Sequence, residues 1–284
     1  MHRLFVENLT VIDFAYLDAE RGLVGESWIV DVELGGELDH QGMVFDFSLV
    51  KKRIKRLIDE QADHRLLVPR EFGGLAIQHH DDRQCQLSWH TRAGDRIEHR
   101  SPADSVLFTE GSALSESGLA RQLEAALREV LPDNVAQVQL ILRPERIDGH
   151  WYHYVHGLKK HDGNCQRIAH GHRSRLLIER DGQRATDLEQ HWAERFRDIY
   201  IATREDLQER FHSDGVDYHR YGYRSDQGEF ALTIAAHRVH SIDTDSTVEW
   251  IADYLLRQCQ AGEPDSRFRV RAFEGVGKGA LADS

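Results

Sequence analysis

His156-Gly-Leu-Lys-Lys-His-Asp-Gly-Asn-Cys165-Gln-Arg-Ile-Ala-His170-Gly-His172 is the stretch on which the reading of this chain turns. His170 and His172 stand two apart, and a strand-like run, Arg175-Leu-Leu-Ile-Glu179, follows at once. Residues i and i+2 of a strand point to one face. If the two histidines open that strand, both imidazoles face the same side. A preceding strand, Trp151–His156, brings in a third. Three protein nitrogens with one open position is how a catalytic zinc is held. The alternative is ordinary: in a chain with 18 His, an H-x-H pair can sit on a solvated strand.

Working outward, the pattern of elements runs twice. In the first half, strands at Leu4–Phe14 and Ser27–Leu34 precede a helix opened by Asp46 or Ser48, with Leu49, Val50, Ile54, Leu57 and Ile58 on one stripe. That helix ends at Ala62-Asp63-His64. A hairpin around Arg92-Ala-Gly-Asp95, a strand at Asp104–Thr109, a helix from Ser115 or Ser117 and a strand at Val135–Leu142 complete the half. Pro144 and the turn Ile147-Asp-Gly-His150 mark a boundary, dividing the chain into 1–147 and 148–284. The second half repeats the order. A helix carries Leu188, Trp192, Phe196 and Ile199, and a hairpin turns at Ser225-Asp-Gln-Gly. A second helix starts at Asp245–Glu249, and Arg267–Phe273 forms a last strand. Repetition at a long period points to duplicated domains. Antiparallel strands with helices on one face give an α+β class. The turn Val24-Gly-Glu26 stands where His170-Gly-His172 stands later, so the first copy has no metal set.

The stretch resembles the metal-binding signature of the 6-pyruvoyl-tetrahydropterin synthase / 6-carboxytetrahydropterin synthase family. His156-Gly-Leu is similar to its first histidine element, Cys165 to its cysteine, and His170-Gly-His172 to its H-G-H. The resemblance is strong in the second half and faint in the first. It implies two tandem T-fold (tunnelling-fold) domains, each an antiparallel sheet with two helices on one face. It implies a zinc ion on His156, His170 and His172. In the first half, Gly42-Met-Val-Phe-Asp46-Phe and Asp63-His64-Arg-Leu-Leu resemble two further family signatures, the second of which works with the cysteine in proton transfer. The nearest such pair in the second half, Asp217-Tyr-His219, is displaced. The resemblance therefore implies catalytic roles for Cys165, Asp63 and His64, with the site shared between unlike copies. It also implies pterin contacts for Glu274, Thr247 and Glu249.

Each of these residues has a structural alternative. His64 can be a helix C-terminal histidine facing the dipole, and Cys165 a buried inert thiol. Glu274 can be a strand-end charge and Thr247 a helix cap. The implied substrate is 7,8-dihydroneopterin triphosphate, with Lys159, Lys160, Arg167 and Arg173 as nearby cations. The implied reaction is 6-carboxytetrahydropterin synthesis, on a route to deazapurine nucleosides such as queuosine. Triphosphate elimination to a 6-pyruvoyl product and a non-catalytic pterin- or zinc-binding role are the rivals. Homo-oligomers are expected.

Composition bounds these readings. The chain has 284 residues, 40% of them hydrophobic, and a formal net charge of −12. Such acidity argues against a nucleic-acid partner, whose phosphates call for a basic surface. Three cysteines, Cys85, Cys165 and Cys259, make no disulfide framework and suit a reducing compartment. The N-terminus carries acids too early for a signal peptide, and no apolar run approaches a membrane span. A cytoplasmic protein without a membrane partner is the expectation.

Overall fold

The computed structural model describes residues 1–81 and 83–284. The first half runs β1 (His2–Asp18), β2 (Gly22–Gly36), α1 (Phe47–Ala62), β3 (Leu66–Pro69), β4 (Ala76–His80), β5 (Gln84–His90), β6 (Arg96–Pro102), β7 (Val106–Thr109), α2 (Glu116–Arg128) and β8 (Val135–Pro144). The second runs β9 (Trp151–His156), β10 (His170–Arg180), the two-residue β11 (Gln183–Arg184), α3 (Thr186–Arg195), β12 (Ile199–Thr203), β13 (Leu207–Ser213), β14 (Val216–Ser225), β15 (Gly228–Ala235), β16 (Val239–Ile242), α4 (Val248–Gly262), β17 (Phe268–Phe273) and β18 (Gly279–Asp283). No described helix is long and apolar enough to cross a membrane.

The class is α+β, and the two halves are wired alike. One sheet orders its strands β7-β3-β1-β2-β8 and the other β16-β12-β9-β10-β17-β18. The central pairs are antiparallel, while β3 and β7, like β12 and β16, add in parallel. Each sheet is therefore mixed rather than purely antiparallel: α1 carries the chain from β2 past β1 to β3, and α2 carries it from the β7 edge to β8 at the opposite edge. The apolar stripe of α1 (Val50, Ile54, Ile58) and that of α2 (Leu119, Leu123, Leu127) bury against one face of the first sheet. Val248, Ile251 and Leu255 of α4, with Trp192 of α3, do the same in the second. Asp46 caps α1 by accepting from the Ser48 amide, and Ser115 caps α2 through Gly118.

A third sheet of six strands is built from both halves, in the order β13-β14-β15-β6-β5-β4. Its seam is antiparallel β6 against β15, with Leu232 opposite His99. Beneath it lies a core drawn from both halves, including Leu17, Leu66, Trp89, Val155, Tyr200 and Leu232.

Several expectations from sequence are corrected here. Val24-Gly25-Glu26 is the middle of strand β2, not a turn. Its glycine is required by a close crossing rather than by a bend: a Cβ on Gly25 would lie 1.9 Å from the Tyr154 carbonyl oxygen. Ile199 opens strand β12 rather than closing a helix, since α3 stops at Arg195 and Asp198 takes a left-handed φ of 55°. Asp217 and His219 lie within β14 of the shared sheet, away from any helix end.

Candidate active site

Strand pairing places the histidines. His156 sits directly opposite His170, and His172 lies two residues further along the same strand. All three are fully buried. His156 Nδ1 bonds the Ser246 carbonyl (2.8 Å) and His170 Nδ1 the Arg167 carbonyl (2.7 Å), while His172 Nδ1 faces the Asp13 carboxylate at 3.2 Å. That leaves the three Nε2 atoms to converge, with those of His156 and His172 3.2 Å apart. Burial, together with the neighbouring histidines, drives the pKa values of His156 and His170 well below the ordinary value. Neutral imidazoles with free lone pairs result, as metal ligation requires.

The fit to a metal can be tested on the protein's own atoms. His170 Nε2 is buried with no hydrogen-bond partner, a costly state unless a cation takes the lone pair. The donor set of three imidazoles with ordered partners behind them is that of a catalytic zinc. The residues fit.

The first half closes over this cluster. His64 also takes a left-handed φ of 55°, and its amide donates to the Asp13 carbonyl at 2.6 Å. Its Nδ1 meets Asp63 Oδ2 at 2.7 Å. Among the described residues, His64, Cys165 and His170 bring one donor atom each within 4.8 Å of one another, as do His156, His170 and His172. Burial lowers the His64 pKa, but hydrogen bonds to Asp63 and Cys165 outweigh it and raise the value to about 10. His64 thus rests as a cation at neutral pH.

The Cys165 loop is held from three sides. Leu158 N–H donates to the Cys165 carbonyl (2.9 Å), and Tyr223 of β14 donates its hydroxyl to the Gln166 carbonyl (2.7 Å). Gln227 amide nitrogen reaches Asn164 Oδ1 at 2.8 Å. Gly157 admits this brace, because a Cβ there would fall 2.1 Å from the Tyr223 hydroxyl.

Glu274 lies in the turn between β17 and β18, its Oε1 3.9 Å from His172 Nε2 and 4.0 Å from His156 Nε2. It is beside the histidines. Thr247 accepts from Trp250 N–H at 3.4 Å as the cap of α4, while Glu249 is exposed on the first turn. Neither is brought to the histidines by a hydrogen bond or ion pair among the described residues. It is the neighbouring Ser246 that touches the site, through its carbonyl. Of the four cations weighed from sequence, Lys159 is bound to Asp206 (2.6 Å), Lys160 to Asp245 (2.9 Å) and Arg173 to the Glu145 carbonyl (2.6 Å). Arg167 is buried against the carbonyls of Asp63 (3.5 Å) and His64 (3.3 Å).

Two functional candidates escaped sequence reasoning. Asp13 joins His172, Ser27 (2.5 Å) and Lys278 (3.1 Å). Burial raises its pKa, but His172, Lys278 and His64 together hold it far below the usual carboxylate range. The signal was present, since Asp13 is an acid inside the apolar run Val11-Ile12-Asp13-Phe14-Ala15. Lys278, half-exposed beside Asp13, follows a Gly-Val-Gly run and offered no comparable cue.

In the first half, strand register puts Tyr16, Val24 and Glu26 where the second has His156, His170 and His172. The same counting sets Asp198 where the first half has His64. Asp198 is bound by Arg21 at 2.9 and 2.5 Å, and Arg21 also reaches the Tyr16 hydroxyl at 3.1 Å. An arginine–carboxylate pair fills the position of the histidine–cysteine pair. Among the described residues no metal-type cluster forms there.

Comparison with known proteins finds three likenesses. Residues 5–77 match the family model described as 6-pyruvoyl tetrahydropterin synthase. That range lies in the first half, which the sequence reading had taken as the fainter copy, and it contains Gly42–Phe47 and the Asp63-His64 pair. A Pyrococcus horikoshii protein, named as a proposed 6-carboxy-5,6,7,8-tetrahydropterin synthase, is 34% identical over 61 residues. The match covers 22% of this chain and 36% of that protein, so the chain spans about a third of the length of the curated relative it matches. Crystal structures of 6-pyruvoyl tetrahydropterin synthase from Plasmodium vivax (20% identity) and Plasmodium falciparum (16%) each align with a TM-score of 0.38, over 50% of this chain and 97% of theirs. Residues 5–77 are thus similar to the 6-pyruvoyl tetrahydropterin synthase family.

Proposed function

We propose that this chain converts 7,8-dihydroneopterin triphosphate to 6-carboxy-5,6,7,8-tetrahydropterin in a zinc-dependent reaction. The carrying observation is the convergence of three buried Nε2 atoms beside a Cys165–His64–Asp63 relay. Zinc, when bound by His156, His170 and His172, would supply a Lewis acid to a side-chain oxygen of the substrate. The chain's own residues do the rest. His64, held cationic by Asp63, cannot accept a proton at neutral pH. Cys165 and His64 are therefore read as the pair that moves protons, Cys165 accepting and His64 returning. Glu274 offers a carboxylate to the N–H edge of the pterin, and pairing there rejects rings without those donors. Lys278, half-exposed beside Asp13, offers a cation for the phosphate chain.

The name of the Pyrococcus horikoshii relative supports the 6-carboxy product, and the description of the matching family model supports a 6-pyruvoyl product as the second reading. The first half supplies Asp63 and His64 and the second supplies the metal ligands and Cys165, so one chain holds a whole site. Association into homo-oligomers is compatible with this but does not complete it. Three free cysteines suit a reducing, cytoplasmic setting. Incubating the metal-loaded protein with dihydroneopterin triphosphate and identifying the pterin by mass spectrometry decides between the two products. No turnover of that substrate overturns both readings.

A further inference from the structure

We propose that Asp13, which lies in the half opposite the histidines, is a positioning residue that sets the metal centre and the proton relay in register. The proposal rests on the reading of the three histidines as metal ligands. The carboxylate and the main chain of Asp13 serve different partners. Oδ1 lies 3.2 Å from His172 Nδ1 and takes the Ser27 hydroxyl at 2.5 Å, while Oδ2 takes Lys278 Nζ at 3.1 Å. The backbone N–H donates to Asp63 Oδ1 at 2.8 Å, and the backbone carbonyl accepts from His64 N–H at 2.6 Å. One residue thus fixes the ring of a ligand histidine and the seat of the relay. The turn that carries Glu274 rests on it as well: a Cβ on Gly275 would lie 2.4 Å from Asp13 Oδ1.

The pseudo-symmetric position shows the same contact with its chemistry exchanged. Register makes His153 the counterpart of Asp13 and Glu26 the counterpart of His172. His153 Nδ1 stands 3.9 Å from Glu26 Oε2 and bonds the Gly25 carbonyl at 2.5 Å. An acid meets an imidazole across the halves in both places. Only where the acid stands behind the imidazole is a ligand oriented. A carboxylate behind a ligating histidine fixes its tautomer and raises its basicity, and its loss typically costs about 10–100-fold in metal affinity.

The test reads metal rather than turnover. Zinc affinity is measured by chelator competition, and the cobalt(II)-substituted visible spectrum is recorded, for wild type, Asp13→Asn and Ser27→Ala, with circular dichroism to verify folding. The Asp13→Asn chain is expected to bind zinc about 10–100-fold more weakly with a shifted cobalt spectrum. Ser27→Ala removes the second donor to Oδ1 and the acceptor of the Arg173 N–H (3.1 Å), and a fall of several-fold is expected. If Asp13→Asn does not fold, Ser27→Ala decides alone. Wild-type affinity and an unchanged spectrum in the folded variants overturn the role of Asp13 while leaving the metal centre standing. A wild-type chain that takes up no zinc overturns the metal reading, and Asp13's role with it.

Discussion

Gly25 and Gly171 meet backbone to backbone at the crossing of β2 and β10. A Cβ on Gly171 would lie 2.6 Å from Gly25 Cα and 2.4 Å from the Tyr154 carbonyl oxygen. The two glycines are register counterparts, the central residues of Val24-Gly25-Glu26 and His170-Gly171-His172. The H-G-H spacing therefore serves two ends, since the histidines face the metal position and the glycine lets the halves touch. Gly25→Ala should cost about 3 kcal/mol or more, above the usual range for overpacking because backbone must move. Gly73→Ala, at an open position, should stay within about 0.5 kcal/mol of wild type. Urea denaturation of both variants checks this, and equal midpoints would contradict the crossing.

Freshly purified protein should carry about one zinc per chain, with nitrogen–zinc distances of roughly 2.0–2.1 Å. His170→Ala should lose the metal and keep its fold, because it removes the ligand whose Nε2 has no other partner. Elemental analysis with X-ray absorption tests both statements; two zinc ions per chain would count against them.

Cys165→Ala should retain zinc and pterin while turnover falls about 10²–10⁴-fold, the usual worth of a positioned proton-transfer group. Single-turnover kinetics separates the chemical step from binding. Near-normal turnover by this variant would remove the cysteine from the mechanism.

Mixing an Asp63→Ala/His64→Ala chain with a Cys165→Ala chain should restore no activity. The relay and the cysteine meet within one chain, His64 and His170 having ring centres 5.0 Å apart. Recovery of activity in mixed oligomers would mean that sites form between chains.

Acid should destabilise the fold through two buried histidines. Burial lowers the His99 and His240 pKa values to about 4 from 6.5. The unfolded chain binds these protons first, so the stability present above pH 6.5 is lost as pH falls toward 4. For His99, which is fully buried, the loss amounts to roughly 2–3 kcal/mol. His99→Leu should flatten the slope of urea midpoint against pH between 6.5 and 4; an unchanged slope would refute the assignment.

Much of this was legible before the structure. The three histidines, Cys165, Asp63, His64 and Glu274 are all carried by short motifs, and motif spacing survives because strand and helix periods are rigid. The seam between the halves was not legible. β3, β4 and β13 are short or polar, and nothing in Ala76–His80 or Leu207–Ser213 reveals that both join one sheet. Asp13 was missed for a related reason, since its partners come from positions 14 to 265 residues away. The cap that Thr247 makes on α4 was legible too, because capping is a local pattern.

The β6–β15 seam has a consequence for synthesis on the ribosome. β6 ends at Pro102, and its partner strand does not begin until Gly228. At about 5–20 residues per second, β6 waits bare-edged for many seconds while the second half is made. An open strand edge invites pairing with another nascent chain. Strand β5 pairs with β6, and β4 with β5, locally in the meantime, so it is the edge facing β15 that stays bare. A helper that shields it, or the charges Arg96, Glu98 and Arg100 along it, would set the yield of correctly joined protein.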